Sequence, residues 1–302
     1  MFDSALVESV VRALIPILLA ALGGMMCERA GVFQISLEGM MLVGAFAAVG
    51  ASFATETATV GVLTAIVAGM AISLILAFGA VSRGGNAIVL GVAINLLAVG
   101  LTSFLLPQLF DVRGVFQNAR IDALDRFSVP LLSDIPILGP ALFRGTVLTY
   151  VAYLAVPLTW VFLFRTPIGM RLRGVGERPV AAATLGVSPT LYKYGAVVFS
   201  GGMSGLAGAQ LALGNVVQFA ENMTSGRGWI AVVAVLFGRA HPWGVLGASI
   251  LFGFTEGFGF RLQGRGLPVQ ITDALPYAIT LLALVLARRR FSRLIDLTAA
   301  NA

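Results

Sequence analysis

Residues 84–110 read GGNAIVLGVAINLLAVGLTSFLLPQLF and contain no charged side chain. An α-helix of about 20 residues is long enough to cross the ~30 Å hydrocarbon core of a bilayer. Three more stretches of similar length also lack charges, at residues 58–81, 145–164 and 194–220. These four segments predict four membrane-spanning helices.

The composition agrees, because 58% of the residues are hydrophobic and only 11% are charged, against about 25% charged in soluble domains. Further apolar segments are shorter or interrupted: 13–27, 30–55 with Glu38, 228–238, 242–260 with Glu256, and 267–287 with Asp273. We therefore predict an all-α integral membrane protein, a polytopic bundle of eight to ten helices with nine preferred, some broken or short. Residues 1–302 are expected to form a single transmembrane domain.

The net charge of +6 is interpreted through the positive-inside rule and not as a sign of a nucleic-acid partner. With nine helices and a cytoplasmic C-terminus, twelve basic residues fall in inner segments and seven in outer segments. This bias predicts an external N-terminus and a cytoplasmic C-terminus. The long connections are then an external loop at about 111–144 and a cytoplasmic loop at about 165–193.

The cytoplasmic loop contains GVGERPVAAATLGVSPTLYK, residues 174–193. Pro179 suits the first turn of a helix, and Gly186 is a typical C-terminal stop. Ser188 followed by Pro189 then predicts the start of a second, longer helix. The short helix either rests on lipid headgroups or enters a groove on a cytoplasmic partner.

Polar residues inside apolar segments are the candidate pathway residues. Gln34 and Glu38 lie four apart, on one face of a helix, and Asn95 interrupts an otherwise apolar span. Such groups are costly in hydrocarbon, so they either line a substrate pathway or form structural hydrogen bonds to neighbouring helices. Asn222, in ENMTSGRG (221–228), is the candidate at the pathway mouth; Glu256 favours a structural role.

Enzymatic chemistry has little support in the sequence. Cys27 and His241 are the sole cysteine and histidine, and Lys193 is the sole lysine, lying between two tyrosines. A disulfide framework, a metal cluster and a phosphate-binding Gly-Lys-Ser/Thr loop are thereby excluded. We expect no cofactor in this chain.

Four segments together resemble one family: CERAGVFQISLEGMMLVGAFAA (27–48), NAIVLGVAINLLAVGLTSFLL (86–106), FRTPIGMRLRGVGERPVAAATLGVSPTLYKYGAVVFSGGMSGLAGAQLALG (164–214) and ENMTSGRGWIAVVAVLFGRAHPWGVLGASILFGFTEG (221–257). They are similar to the ABC-importer permeases that carry branched-chain amino acids, simple sugars and nucleosides, and most of all to the nucleoside permeases. The resemblance runs from about residue 5 to residue 288, with its motifs in order.

The resemblance implies a multi-pass permease subunit in the bacterial inner (plasma) membrane, moving a small polar solute, most readily a nucleoside, by alternating access. Its implied partners are a cytoplasmic ABC ATPase that holds ATP–Mg, a second homologous permease, an external substrate-binding protein and the membrane lipid. A simple sugar or a branched-chain amino acid is the alternative solute, and an ion-coupled secondary transporter is the alternative class. The short cytoplasmic helix becomes the coupling helix, with contacts expected from Glu177, Arg178, Ala181, Ala182 and Gly186.

Overall fold

The computed structural model describes residues 4–128, 143–263 and Ala278. Its helices are α1 (Ser4–Arg29), α2 (Leu37–Thr55), α3 (Ala58–Leu76), α4 (Ala87–Phe110), α5 (Val147–Arg165), α6 (Pro167–Glu177), α7 (Pro179–Thr184), α8 (Pro189–Ala209), α9 (Arg227–Phe237) and α10 (Pro242–Gln263). A π-helical segment extends α3 over Ala77–Ser82, and another extends α8 over Gln210–Val216.

Seven of the helices in the described part of the chain are long and apolar enough to cross a membrane, and α9 is a shorter apolar helix. The protein is thus a polytopic all-α membrane protein, and the four uncharged segments are all confirmed as long helices. The first helix begins at Ser4, before the apolar segment 13–27, and its added turns carry an exposed ion pair between Glu8 and Arg12 at 2.7 Å. The predicted span 267–287 and the C-terminus lie outside the described residues, so the helix count and the orientation stay predictions.

Short strands occur at one end of the bundle, called here the strand end. β1 (Val115–Phe116) pairs antiparallel with β4 (Phe219–Ala220), and β2 (Arg126–Ser128) pairs with β3 (Arg144–Thr146). The rings of Phe110 and Phe116 stack there with centroids 4.1 Å apart. The connection after α4 is therefore tied to the connection between α8 and α9. The opposite end, which carries α6 and α7, is called the α7 end.

Residues 30–36 differ from the sequence prediction, which had one broken helix over 30–55. Gly31 adopts a φ of +75° just after α1, a conformation that glycine reaches without a Cβ penalty. Residues 32–36 are non-helical and mostly buried, and in extended form they can span about 17 Å. They carry the chain from the α7 end into the bundle interior, where α2 begins.

The middle of the bundle is α8, which packs against α1, α2 and α3. Its glycines allow backbones to touch: a Cβ on Gly205 would collide with the carbonyl of Ala65 in α3, and one on Gly208 would collide with the carbonyl of Met41 in α2. Close approach through small residues is the usual packing mode of helices in lipid, where apolar burial gives little driving force.

We predict that Gly205→Ala lowers the melting temperature of the purified protein in detergent, because the added methyl group forces α8 away from α3. Overpacking of this kind costs about 1–3 kcal/mol of unfolding free energy. Gly195→Ala is the matched control on the same helix, since no atom lies within 4 Å of an added Cβ there. Equal melting temperatures for the two variants would contradict the packing analysis.

Candidate functional site

The Glu38 carboxylate lies inside the bundle at the start of α2, with only 6% of the residue exposed. Its Oε1 accepts the backbone N–H of Gly226 at 2.8 Å, and its Oε2 accepts that of Gly228 at 2.6 Å. Both N–H groups belong to the first turn of α9, which has no side-chain cap of its own. Glu38 therefore caps α9 from another helix, satisfying donors that the helix leaves unpaired and complementing its positive end.

Asn95 of α4 holds the same start of α2 from the other side. Its Oδ1 accepts the N–H of Gly39 at 2.8 Å, and its Nδ2 donates to the carbonyl of Ile35 at 3.2 Å. The side chain thus bonds to the chain on both sides of the point where helix α2 starts. The fit is tight, because a Cβ on Gly39 would come within 2.9 Å of the Asn95 backbone.

An ion pair adds a fourth helix, α10, to this interior cluster. Arg227, the first residue of α9, pairs with Glu256 of α10 through Nη2 and Oε1 at 2.5 Å, and the two side chains are only 15% and 12% exposed. Arg227 also donates to the carbonyl of Met223 at 3.2 Å. This pairing supports the structural role inferred for Glu256, since a buried charge needs a partner.

The remaining sequence candidates divide between the interior and the surface. Gln34 is buried beside this cluster, its Nε2 lying 3.2 Å from the Met40 sulfur, while its Oε1 has no hydrogen-bond partner among the described residues. Asn222 is exposed, with a φ of +55°, four residues before Gly226.

Gln34, Glu38 and Asn95 thus gather around residues 34–39, and Asn222 does not. Glu38 and Asn95 make the structural hydrogen bonds that were the alternative to a pathway role, and the pathway role itself stays a prediction. Sequence reasoning missed that the partners of Glu38 are backbone groups of Gly226 and Gly228. The glycine on each side of Arg227 was the available signal.

The second candidate region is the α6–α7 hairpin. Thr166 caps α6 by accepting the N–H of Gly169 at 3.1 Å, and Ser188 caps α8 by accepting that of Leu191 at 3.5 Å. Between them α7 ends at Thr184, and Gly186, two residues later, has a φ of +76°. The predicted succession of short helix, sharp bend and long helix is confirmed.

Most of α7 faces solvent: Val180 is 78% exposed, and Leu185, directly after the helix, is 83% exposed. Ala182 differs from its neighbours in α7, because it is buried, with only 8% of the residue exposed. In the turn after the helix, Val187 donates its N–H to the Ala182 carbonyl at 3.1 Å. The expected part of Ala182 in the coupling contact stays a prediction, and its burial makes it the least accessible of the five residues. The other four residues expected in the coupling contact are exposed: Glu177, Arg178, Ala181 and Gly186.

We predict that Glu38→Ala lowers the melting temperature and the yield of folded protein, because two N–H groups of α9 lose their acceptor in the bundle interior. Each unsatisfied buried donor costs about 1–3 kcal/mol. Glu56→Ala, just after α2, is the matched control: that side chain is 57% exposed and pairs with Arg120, a surface pair worth about 0–1 kcal/mol. If the two variants have the same melting temperature, Glu38 does not act as the cap of α9.

Comparison with known proteins agrees with this architecture. The family model described as "Branched-chain amino acid transport system / permease component" matches residues 6–284. The guanosine ABC transporter permease protein NupQ of Bacillus subtilis is 38% identical over 89% of this chain and 87% of its own. The nucleoside ABC transporter permease protein NupC of Lactococcus lactis is 33% identical, over 90% and 88%. The putative glucose ABC transporter permease protein TsgC13 of Haloferax volcanii is 37% identical, over 88% and 80%.

A solved structure, PsaBC from Streptococcus pneumoniae in complex with Fab, is similar in fold alone. It superposes with a TM-score of 0.51 at 14% identity, covering 91% of this chain and 89% of that one. The family match extends from α1 through α10, so it includes both the Glu38 cluster and the α6–α7 hairpin. This chain therefore belongs to the family of permease components typified by the branched-chain amino acid transport system.

Proposed function

We propose that the chain is the membrane-spanning permease of an ATP-driven importer that carries a nucleoside across the bacterial inner membrane. The observation that carries this proposal is the 38% identity to a guanosine permease over 89% of the chain, joined by a nucleoside permease at 33%. The polar cluster around Glu38, where three helices begin or meet inside an apolar bundle, is the part of the described structure suited to alternating access.

ATP–Mg is bound and hydrolysed by a separate cytoplasmic ATPase that docks on the α6–α7 hairpin. The helix α7 has 6 residues, and so short a helix has little stability of its own. The side chains of Val180, in α7, and Leu185, directly after it, are largely exposed. Burial of these two side chains in a groove of the ATPase would remove apolar surface from water and stabilise α7. The exposed Glu177 and Arg178 would supply polar contacts at the rim of that groove.

The other partners follow from this orientation, in which the α7 end is cytoplasmic and the strand end external. An external binding protein would deliver the solute at the strand end. The exposed apolar side chains of α3 and α4 would contact lipid or a second homologous permease. Examples are Leu63, Val67, Leu96 and Phe104, which are 57–70% exposed, as expected of groups whose solvent is hydrocarbon.

A sugar is the second candidate solute, because a putative glucose permease is 37% identical over 88% of the chain. A branched-chain amino acid is a further candidate solute, because the family description names it. These alternatives share the fold, the ATPase and the hairpin contact, and they differ from the main proposal only in the solute. Uptake measurements therefore separate them.

We expect proteoliposomes that contain the permease complex and luminal ATP, with the binding protein outside, to accumulate labelled guanosine and not labelled glucose or leucine. Vesicles without ATP are the control. Accumulation of glucose or leucine in place of guanosine would reassign the solute within the same transport class. Uptake by this chain alone, driven by an ion gradient without ATP, would contradict the ATP-driven class altogether.

We also expect Ala181→Trp and Gly186→Val to abolish ATP-dependent uptake and to weaken co-purification of the ATPase. Bulk at Ala181 obstructs the groove contact, and a β-branched residue is strained at the positive φ of Gly186. Ala54→Trp, on the exposed strand end of α2 and away from the hairpin, is the control for ATPase co-purification, which it should leave unchanged. Normal uptake and normal ATPase association in both hairpin variants would refute the docking assignment.

A further inference from the structure

Residues 29–38 hold the short helix α9 at both of its ends. At the N-terminus of α9, Glu38 accepts the N–H groups of Gly226 and Gly228. At the C-terminus, Arg29 donates its Nε–H to the carbonyl of Ala240 at 2.6 Å and an Nη2–H to that of Arg239 at 3.3 Å. We call residues 29–38 the strap.

The middle of the strap, residues 32–36, is non-helical and mostly buried. These five residues can span at most about 17 Å, which is comparable with the length of α9, whose 11 residues make a helix about 16 Å long. Asn95 further fixes the end of the strap by bonding to Ile35 and Gly39.

One contact between the strap and the α6–α7 hairpin is made by backbone atoms. Gly176, near the C-terminus of α6, lies against Arg29 and Gly31: a Cβ on Gly176 would collide with the Arg29 carbonyl and lie 3.0 Å from the Gly31 nitrogen. Conversely, a Cβ on Gly31 would lie 3.0 Å from the Gly176 carbonyl oxygen. A contact between two backbones, with no flexible side chain in between, transmits small displacements efficiently.

Aromatic and charged groups fix α6 against the same place. The guanidinium of Arg173 lies 4.7 Å from the centre of the Phe164 ring, and that of Arg29 lies 5.9 Å from it. Each guanidinium attracts the electron-rich ring, so Phe164 of α5 joins the start of the strap to α6. The α6–α7 hairpin is therefore held to the strap by two independent contacts.

We propose that the strap transmits movement of the α6–α7 hairpin to α9, which is displaced as a rigid element within the polar cluster. This inference rests on the proposed docking of an ATPase at α7, and it adds the route inside the permease. Gly31 and Gly176 are positioning residues in this route: they allow the hairpin to press on the strap, and the strap then carries α9 by both ends. A two-ended attachment moves the helix along with the strap, whereas a single attachment would allow it to tilt.

The test is the amount of solute transported per ATP hydrolysed by the reconstituted complex, compared between Gly176→Ala and Gly174→Ala. The added methyl group at position 176 separates the hairpin from the strap, whereas position 174, in the same helix, has no atom within 4 Å of an added Cβ. We expect Gly176→Ala to co-purify with the ATPase and to hydrolyse ATP, with solute per ATP lowered about 2- to 30-fold. Gly174→Ala should match the unmodified complex.

Gly31→Asn perturbs the contact from the other side, since asparagine tolerates a positive φ better than most residues, and it should lower the same ratio. An unchanged amount of solute per ATP in Gly176→Ala or Gly31→Asn overturns the proposal. Failure of both variant proteins to fold and reach normal levels in the membrane, while Gly174→Ala does so, also overturns it, because the contact would then serve folding alone. Failure of the proposed function has a different signature: the unmodified complex would lack an ATPase or ATP-dependent uptake.

Discussion

The bond between Glu38 and the first turn of α9 is the interaction on which the interior of this permease depends. A helix that begins inside an apolar bundle exposes N–H groups that no water can satisfy, and each unpaired group is expensive there. Glu38 supplies two acceptor oxygens at 2.6–2.8 Å. Because of this cap, α9 can be as short as 11 residues and still begin within the bundle.

A second constraint is the close packing of helix backbones around α8. Lipid tails are as apolar as leucine side chains, so helices in a bilayer associate through close contact and hydrogen bonds more than through apolar burial. Gly205 and Gly208 bring α8 into backbone contact with α3 and α2. The same device recurs at Gly31 and Gly176, where it joins the α6–α7 hairpin to the strap. In both places the position of one helix determines that of its neighbour.

These two constraints connect the surface that would receive an ATPase with the polar interior. The hairpin presents Val180 and Leu185 to solvent on one side and rests on the strap through Gly176 on the other. The strap reaches from Arg29 to Glu38 and holds α9 at both ends, and α9 in turn is paired with α10 through Arg227 and Glu256. A polar residue in the interior can thus be structural in its bonds and still take part in the conformational change, because its bonds define which elements move together.

Local features of the chain were sufficient to predict much of this architecture. Length and the absence of charges located the long spans, such as residues 58–81 and 84–110, because a membrane helix must be about 20 residues long and apolar throughout. Pro179 and Gly186 predicted the bounds of α7, because each restricts or permits particular backbone angles at its own position. These are properties of neighbouring residues, which a sequence displays directly.

The tertiary structure decided the features that depend on residues far apart in the chain. Glu38 meets Gly226 across 188 residues, and nothing local indicates that pairing. Residues 32–36 are non-helical, and Asn95 of α4 bonds to Ile35 and Gly39 at their end, a contact between distant parts of the chain that local sequence does not predict. Ala182 lies in an apparently uniform run of alanines, yet it is buried while its neighbours Ala181 and Ala183 are exposed. Helical propensity and hydrophobicity are local quantities, whereas a buried hydrogen bond and a backbone contact exist only when the folded chain brings both partners together.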